Sequence, residues 1–225
     1  MLIRTPGLFV TAQIVPGTVL AGTREAADVA AFSELLTRLH QPAPAPLPRL
    51  VDLAHVMDMR VEWARELAAD PHYTARDRQP APVAAVDDAC SVLEVLLRTT
   101  CARYALHADL QPRNIVEGGG LWCAINPFGA IGDIHSEVAL WAVNQNGPSP
   151  VPSVTALLSQ LGMHPLLNLD RLRAWAWVLS ILKYRPYPQP QPQLAARMHS
   201  FSTDYTPAAS STPCSREPTT CFMHS

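Results

Sequence analysis

Lysine is nearly missing from this chain. Of the 17 Lys and Arg residues in 225 positions, only Lys183 is a lysine. The formal net charge is −2 and the pI is near 6.4. Such a balance supplies no broad basic face for nucleic acid or for an anionic membrane, so neither is expected as a partner. No C-x-x-C pair occurs among Cys90, Cys101, Cys123, Cys214 and Cys221, which argues against a zinc site or redox motif. Their odd number and scatter fit a reducing cytoplasm. Met1 to Val10 lacks the charged-then-apolar pattern of a signal segment. The longest apolar stretch, near Ala174–Leu182, is too short to cross a bilayer. There is no internal repeat. These absences point to a cytoplasmic chain.

What is present is enough apolar material for a core, at 48% hydrophobic residues. Leu8–Val15 reads as a strand that ends at the turn signal Pro16-Gly17. Thr23 and Glu25 suit the start of a helix with Ala27, Ala31, Leu35 and Leu39 at helical spacing. Pro42, Pro44, Pro46 and Pro48 stop it near His40. Residues 50–70 read as helix with weak periodicity, and 71–82 as loop. Asp87 or Asp88 is expected to cap a helix that carries Val92, Leu93, Leu96 and Leu97 and runs to about Tyr104. Gly118-Gly119-Gly120 between two short apolar segments predicts a hairpin. Further helices are expected from Glu137, over Val154–Leu161, and over Leu169–Tyr184. The last of these places Leu172, Trp175, Ala176, Leu179 and Leu182 on one face. Proline, serine and threonine dominate from about residue 186, predicting an irregular or disordered tail.

The chemistry is concentrated in His107-Ala108-Asp109-Leu110-Gln111-Pro112-Arg113-Asn114. Its form, H-x-D-x-x-x-x-N, has the spacing of a kinase catalytic loop. In such a loop an aspartate accepts or orients the acceptor hydroxyl, and an asparagine turns its carbonyl oxygen toward magnesium on the ATP phosphates. Alone, the pattern also fits a polar turn with an Asx cap. Its setting favours the kinase reading. A helix precedes it, a glycine hairpin follows, and Ala124-Ile125-Asn126-Pro127-Phe128-Gly129 takes the place of a D-F-G-like segment.

These residues resemble the aminoglycoside/hydroxyurea phosphotransferase family. His107–Val116 is similar to its HGDLHPxNVL motif, and Trp122–Gly132 to the W-x-A-I-D-P-K-G-x-x-G-D segment of its streptomycin and hydroxyurea branch. Asp133 and Glu137-Val138-Ala139 fit the continuation. Val15–Leu20 and Leu35–His40 resemble flanking segments, and the likeness spans roughly residues 8 to 184. The resemblance implies an α+β, mainly helical fold, a protein-kinase-like C-lobe with a small catalytic-loop hairpin. It implies Asp109 as catalytic base, His107 as loop support, Asn114 and position 126 as the magnesium ligands, and Asp133 as a structural residue near the site. Phe9–Pro16 would be the last N-lobe strand and the hinge where adenine bonds the backbone. Mg2+ and ATP are the implied cofactors, and a small molecule with a hydroxyl group, such as an aminoglycoside, the implied partner.

The chain departs from that pattern in three places. Position 126 is Asn where the family has Asp, so an anionic oxygen is lost where magnesium needs one. Fifteen residues precede Pro16, too few for a glycine-rich phosphate loop and a lysine-bearing strand, and Lys183 lies far from where that lysine belongs. Ala108 replaces a glycine, a change expected to be small. The expected organisation is therefore an N-lobe remnant at 1–22, a C-lobe at 23–184 and a tail at 185–225. Activity is expected to be impaired. A kinase-like binding protein without turnover and a truncated gene product are the alternatives. Exposed apolar surface at Leu8–Ile14 and along the cleft predicts self-association, or a partner that supplies the missing lobe. His40, His55, His72 and His164 show no metal spacing. Asp52, Asp58, Glu62 and Glu66 read as a solvated helix face.

Overall fold

A computed structural model of the chain describes residues 3–5, 8–10, 14–19, 26–40, 50–69, 83–145, 153–182, 192–205 and 207. Among these residues the fold is mainly helical, with seven α-helices and three small sheets. The centre is built by two helices, α4 (Ile134–Val143) and α6 (Leu169–Leu182), which pack against each other. Every residue of α4 is buried, including His135, Ser136 and Glu137. The expected face of α6 is buried in full, and Trp177, Val178 and Ile181 are buried as well. A helix buried nearly all round belongs in the middle of a fold, not at its surface.

Around this centre pack α3 (Val83–Arg98), α5 (Val154–Leu161) and α7 (Pro192–Asp204), with α2 (Leu53–Ala69) against α3. The weak periodicity of 50–70 now has a cause. The inward stripe of α2 is Leu53, Val56, Met57, Arg60 and Ala64, so a buried arginine interrupts the apolar pattern. On α1 (Ala26–Leu39) the buried stripe is Val29, Phe32, Leu35 and Leu36, while Leu39 is exposed. That face is rotated from the expected one because Phe32 stacks on Trp141 of α4, ring centroids 3.9 Å apart.

Two further boundaries differ from expectation. Helix α3 starts at Val83, directly after Pro82 in sequence, so Asp87 and Asp88 lie inside it and exposed. A proline beside a first turn suits a helix start, and this outweighs the weaker carboxylate signal. The helix also ends at Arg98, because the Thr99 and Thr100 hydroxyls donate back to the carbonyls of Val95 and Leu96. Tyr104 is therefore in a strand. The third difference is the tail. Within the segment read as irregular, α7 buries Leu194, Met198 and Phe201 at helical spacing. Trp177 Nε1 donates to the Ser202 carbonyl at 3.1 Å, and Arg197 donates to the Gln145 carbonyl at 2.7 Å. Composition flagged the prolines; the i, i+4, i+7 stripe between them carried the helix.

The strands hold the motif. β1 (Ile3–Thr5) and β2 (Leu8–Val10) pair antiparallel, so the start of the expected strand from Leu8 is a strand, and residues 11–13 lie outside the described residues. Pro16-Gly17 does not end a strand. It opens β3 (Pro16–Val19), which pairs with β6 (Ile115–Gly118) through a bulge between Pro16 and Thr18. β6 continues through Gly119-Gly120 into β7 (Leu121–Ala124), the expected hairpin. Both turn glycines have positive φ, 61° and 79°, the conformation of a two-residue type I′ turn. A third sheet orders β4 (Val51–Asp52), β8 (Ala130–Gly132) and β5 (Tyr104–Leu106). β8 lies hard against α2: a Cβ at Gly132 would come within 2.4 Å of the Leu53 Cβ. Thr23, Glu25, residues 41–49, 70–82 and 183–191, and the side chains of Leu8–Ile14 other than Ile14 lie outside the described residues, with the expectations attached to them.

Candidate active site

The catalytic-loop sequence forms one short turn between β5 and β6. Pro112–Asn114 is a single 3-10 turn, with proline at its start where no backbone donor is needed. The turn brings Asn114 back over Asp109. Its amide nitrogen Nδ2 donates to the Asp109 carbonyl at 2.7 Å and to Asp109 Oδ2 at 2.9 Å. Both partners are acceptors, so the nitrogen must face them and the carbonyl Oδ1 turns away. Gln111 Nε2 donates to the other carboxylate oxygen, Oδ1, at 2.6 Å. Two guanidiniums flank the same carboxylate, Arg60 Nη2 at 3.9 Å and Arg113 Nη2 at 3.6 Å.

His107 ties this loop to the segment after the hairpin. Its Nε2 lies 2.8 Å from the Ile125 carbonyl, so that nitrogen carries the proton. Nδ1 then accepts from the Asp109 backbone N–H at 3.3 Å. The His107 carbonyl accepts from Phe128 N at 3.0 Å and from Gly129 N at 3.1 Å. One residue thus couples the Asp109 turn to the 125–129 turn through both its side chain and its backbone.

Asn126 sits between these bonds with φ 59°, and it is exposed. Asparagine tolerates the left-handed region better than most residues. Ala108 has φ 64°, a conformation alanine adopts at a cost. The family's glycine at this position is thereby explained, and the exchange to alanine is a strained one instead of the small change expected. The strained peptide is held in place by its own bond. Ala108 N donates to the buried Glu137 Oε1 at 3.2 Å. The other oxygen of Glu137, Oε2, lies 2.9 Å from His40 Nε2, and His40 Nδ1 faces the Leu36 carbonyl at 3.0 Å.

Asp133 is a joint, built from four bonds. Its Oδ1 caps α4 by accepting from His135 N at 3.0 Å and from His135 Nδ1 at 2.6 Å. Oδ2 accepts from Arg171 Nε and from Trp175 Nε1, both at 2.6 Å. Burial by itself would raise the pKa of this carboxyl. The bond and charge of His135, the charge of Arg171 and the Trp175 bond overcome it and hold it at about 2. Arg171 spends its remaining donors on Thr99 Oγ1, Thr100 Oγ1 and the Leu96 carbonyl. Three helices meet on this pair of side chains. The Arg171 partnership was invisible in the sequence, since 38 residues separate it from Asp133.

A cleft of about 250 Å³ opens beside Asp109. Val56, Met59 and Trp63 of α2 line it together with Asn126, Pro127 and Phe128 of the post-hairpin turn. Arg60 and Trp63 carried no motif signal. Their spacing from Val56 and Met59 is the only trace, because all four lie on adjoining stripes of one helix. The remaining histidines lie elsewhere: His164 Nε2 meets Thr37 Oγ1 at 3.1 Å, His55 is exposed, and His72 is outside the described residues. Asp58, Glu62 and Glu66 are exposed on α2, as expected, whereas Asp52 is exposed but stands in β4, where it accepts from Ala54 N and pairs with Arg103. Among the described residues no three His, Cys, Asp or Glu side chains are grouped to hold a metal.

The donor set near the motif does not fit a protein-held magnesium ion. Asn114 and Asn126 offer neutral amide oxygens, and magnesium is normally bound through one or two carboxylates plus phosphates. Among the described residues no helix is long and apolar enough to cross a membrane.

No curated protein matches the chain in sequence. Solved structures do match its fold. Choline kinase LicA from Streptococcus pneumoniae aligns at 13% identity with a TM-score of 0.56, covering 86% of this chain and 69% of that one. LicA in complex with AMP aligns at 14% identity and 0.56, covering 87% and 67%. A choline/ethanolamine kinase family protein from Mesorhizobium loti aligns at 13% identity and 0.57, covering 91% and 70%. At such identities the likeness is one of fold, a kinase-like one. The family model for aminoglycoside/hydroxyurea antibiotic resistance kinases matches residues 13–182, a span that includes the catalytic-loop turn, the hairpin, Asn126 and Asp133. The chain belongs to the aminoglycoside/hydroxyurea antibiotic resistance kinase family.

Proposed function

We propose that the chain is a family phosphotransferase whose acceptor-orienting machinery is retained and whose phosphate-transfer step is impaired. The reaction class is transfer of the ATP γ-phosphoryl group to a hydroxyl of a small molecule. The observation that carries this reading is the pair of hydrogen bonds that Asn114 Nδ2 donates to the Asp109 carbonyl and to Asp109 Oδ2, at 2.7 and 2.9 Å. It fixes the aspartate as a base would need to be fixed, facing a cleft wide enough for a small acceptor. In this reading Asp109 orients the hydroxyl and receives its proton. His107 keeps the Asp109 turn in register with the Asn126 turn, and Asp133 holds the start of α4 beneath both.

The impairment is assigned to Asn126. A carboxylate there would add a charged oxygen to the cleft that Asn126 lines with Asp109, and an amide in its place weakens the hold on Mg-ATP. The same residue supports the competing reading, a kinase-like protein that binds without turnover. No step is assigned to the metal in this chain. The exposed Val15, Val19 and Leu121 on and beside the β3–β6–β7 sheet support association through that face, either with a second copy or with a lobe bearing the phosphate lysine.

The test is calorimetric titration with Mg-ATP of the native chain beside Asn126→Asp. Aspartate also tolerates positive φ, so the backbone at 126 is kept. The expected result is a gain in Mg-ATP affinity of about tenfold in the variant, from the added ligand charge. Equal affinity in the two proteins would remove Asn126 as the cause of impairment. No binding by either would remove the phosphotransferase reading for this chain.

A further inference from the structure

We propose that His40 is a positioning residue for the Asp109 turn, acting through a proton that its imidazole shares with Glu137. This rests on the proposed function, in which Asp109 orients the acceptor hydroxyl.

The protons can be counted from the partners. His40 Nδ1 lies 3.0 Å from the Leu36 carbonyl, and a carbonyl oxygen only accepts, so Nδ1 carries a proton. His40 Nε2 lies 2.9 Å from Glu137 Oε2, a separation that holds one proton between the two atoms. The ring and the carboxyl together therefore keep one proton more than a neutral imidazole beside a free carboxylate. The pair is neutral as a whole. Both side chains are enclosed, with 1% and 0% of their surface exposed, so losing that proton would leave a bare negative charge away from water. It would also set the lone pair of Nε2 against a carboxylate oxygen. Among the described residues no other donor meets Glu137 Oε2, so His40 fixes that side of the carboxyl.

Two other titratable groups stand near the ring. Tyr104 of β5 meets it edge-on, centroids 5.9 Å apart. His164, in the turn after α5, is close enough to feel its charge. Burial, and then the charge of His40, push the His164 imidazole below its ordinary value. His164 is thus the neutral member of the two histidines, and its Nε2 meets Thr37 Oγ1 at 3.1 Å.

Glu137 passes the hold to the loop. Its Oε1 accepts from Ala108 N at 3.2 Å, and Ala108 stands at φ 64° immediately before Asp109. Alanine adopts that conformation at a cost, so the peptide turns unless something holds it. Turning it rotates the Asp109 backbone, whose carbonyl accepts from Asn114 Nδ2, as does Asp109 Oδ2. The hydrogen bonds of the His40 ring go to Leu36 and Glu137, and Ala108 carries their effect to Asp109.

NMR on the full chain without nucleotide tests this. Long-range nitrogen–proton spectra of the native chain are expected to show one proton on His40 Nδ1 and a second, far downfield, in the Nε2–Glu137 bond. As pH rises from about 6 to about 9, loss of the second proton is expected to coincide with movement of two reporters, the Ala108 N–H and the Asn114 side-chain amide. His40→Phe fills the site without a donor. In it the Ala108 N–H is expected to exchange at least about tenfold faster and the Asn114 amide signals to shift, while the amides of Leu140 to Val143 keep their protection. His40→Gln can donate to Glu137 but does not titrate. It is expected to restore both reporters at neutral pH and to abolish their pH dependence. No proton in the Nε2–Glu137 bond at a pH of about 6, reporters unchanged in His40→Phe, or a pH dependence that persists in His40→Gln would each overturn the proposal. Should His40→Phe not fold, the native spectra and His40→Gln decide it. Failure of Mg-ATP to bind the native chain and Asn126→Asp would remove the phosphotransferase reading and leave the His40 result standing. Mg-ATP binding with reporters indifferent to His40→Phe would uphold that reading and overturn this one.

Discussion

Glu137 accepts a hydrogen bond from the backbone N–H of Ala108 at 3.2 Å, from a position 29 residues further along the chain. A buried carboxylate thereby pins the one peptide in the catalytic loop that stands in the left-handed region next to Asp109. His40 closes the other side of the same carboxylate. Removing the carboxylate strands a buried N–H and a buried imidazole together. Glu137→Ala is expected to cost about 3 kcal/mol of stability, and Glu137→Gln less, since it keeps an oxygen for Ala108. Urea denaturation of the two variants beside the native chain measures this.

The strain at Ala108 predicts a gain. Alanine at positive φ costs roughly 1–2 kcal/mol, and glycine returns part of it as unfolded-chain entropy. Ala108→Gly is expected to stabilise the chain by about 0.5–1 kcal/mol while keeping the Glu137 bond. A denaturation midpoint shifted upward at unchanged slope is the expected observation. An unchanged or lowered midpoint would show that the loop relieves the strain in another way.

Acid stability should carry the mark of Asp133. Its carboxyl is held at about 2, below the ordinary 3.8. A depressed acid stabilises the folded state above its unfolded pKa, and that stabilisation disappears as pH falls through the folded pKa. The contribution is on the order of 2 kcal/mol, lost mainly between about pH 4 and pH 2. Asp133→Asn is expected to lower stability at neutral pH and to flatten the curve in that acid window. Denaturation across pH 2 to 6 for both proteins provides the comparison.

The last helix makes a separate prediction. Phe201 is buried and stacks on Tyr205, ring centroids 5.6 Å apart. Phe201→Ala is expected to destabilise the chain by about 3 kcal/mol. If α7 did not dock, the substitution would have almost no effect. The same variant should raise the solvent quenching of Trp177, whose indole donates to Ser202 on that helix.

The sequence alone determined the chemistry-bearing turn and its immediate neighbours. H-x-D-x-x-x-x-N, the glycine pair and the helices over 154–161 and from 169 are local patterns. Hydrogen bonds within a few residues decide them, so spacing suffices. It also revealed the exchange at Asn126, because one missing charge is a matter of residue identity. Tertiary structure alone decided what holds the turn. Glu137 with Ala108, His40 with Glu137 and Arg171 with Asp133 are pairs separated by 29, 97 and 38 residues, and no spacing rule links them. Packing likewise settled which face of α1 turns inward, because Phe32 had to meet Trp141. The same holds for the cleft. Trp63 and Phe128 come to line one cleft only when α2 and the post-hairpin turn come together beside Asp109. Long-range contact is a property of the folded volume, and a linear pattern carries it only where the chain returns to itself at a regular interval.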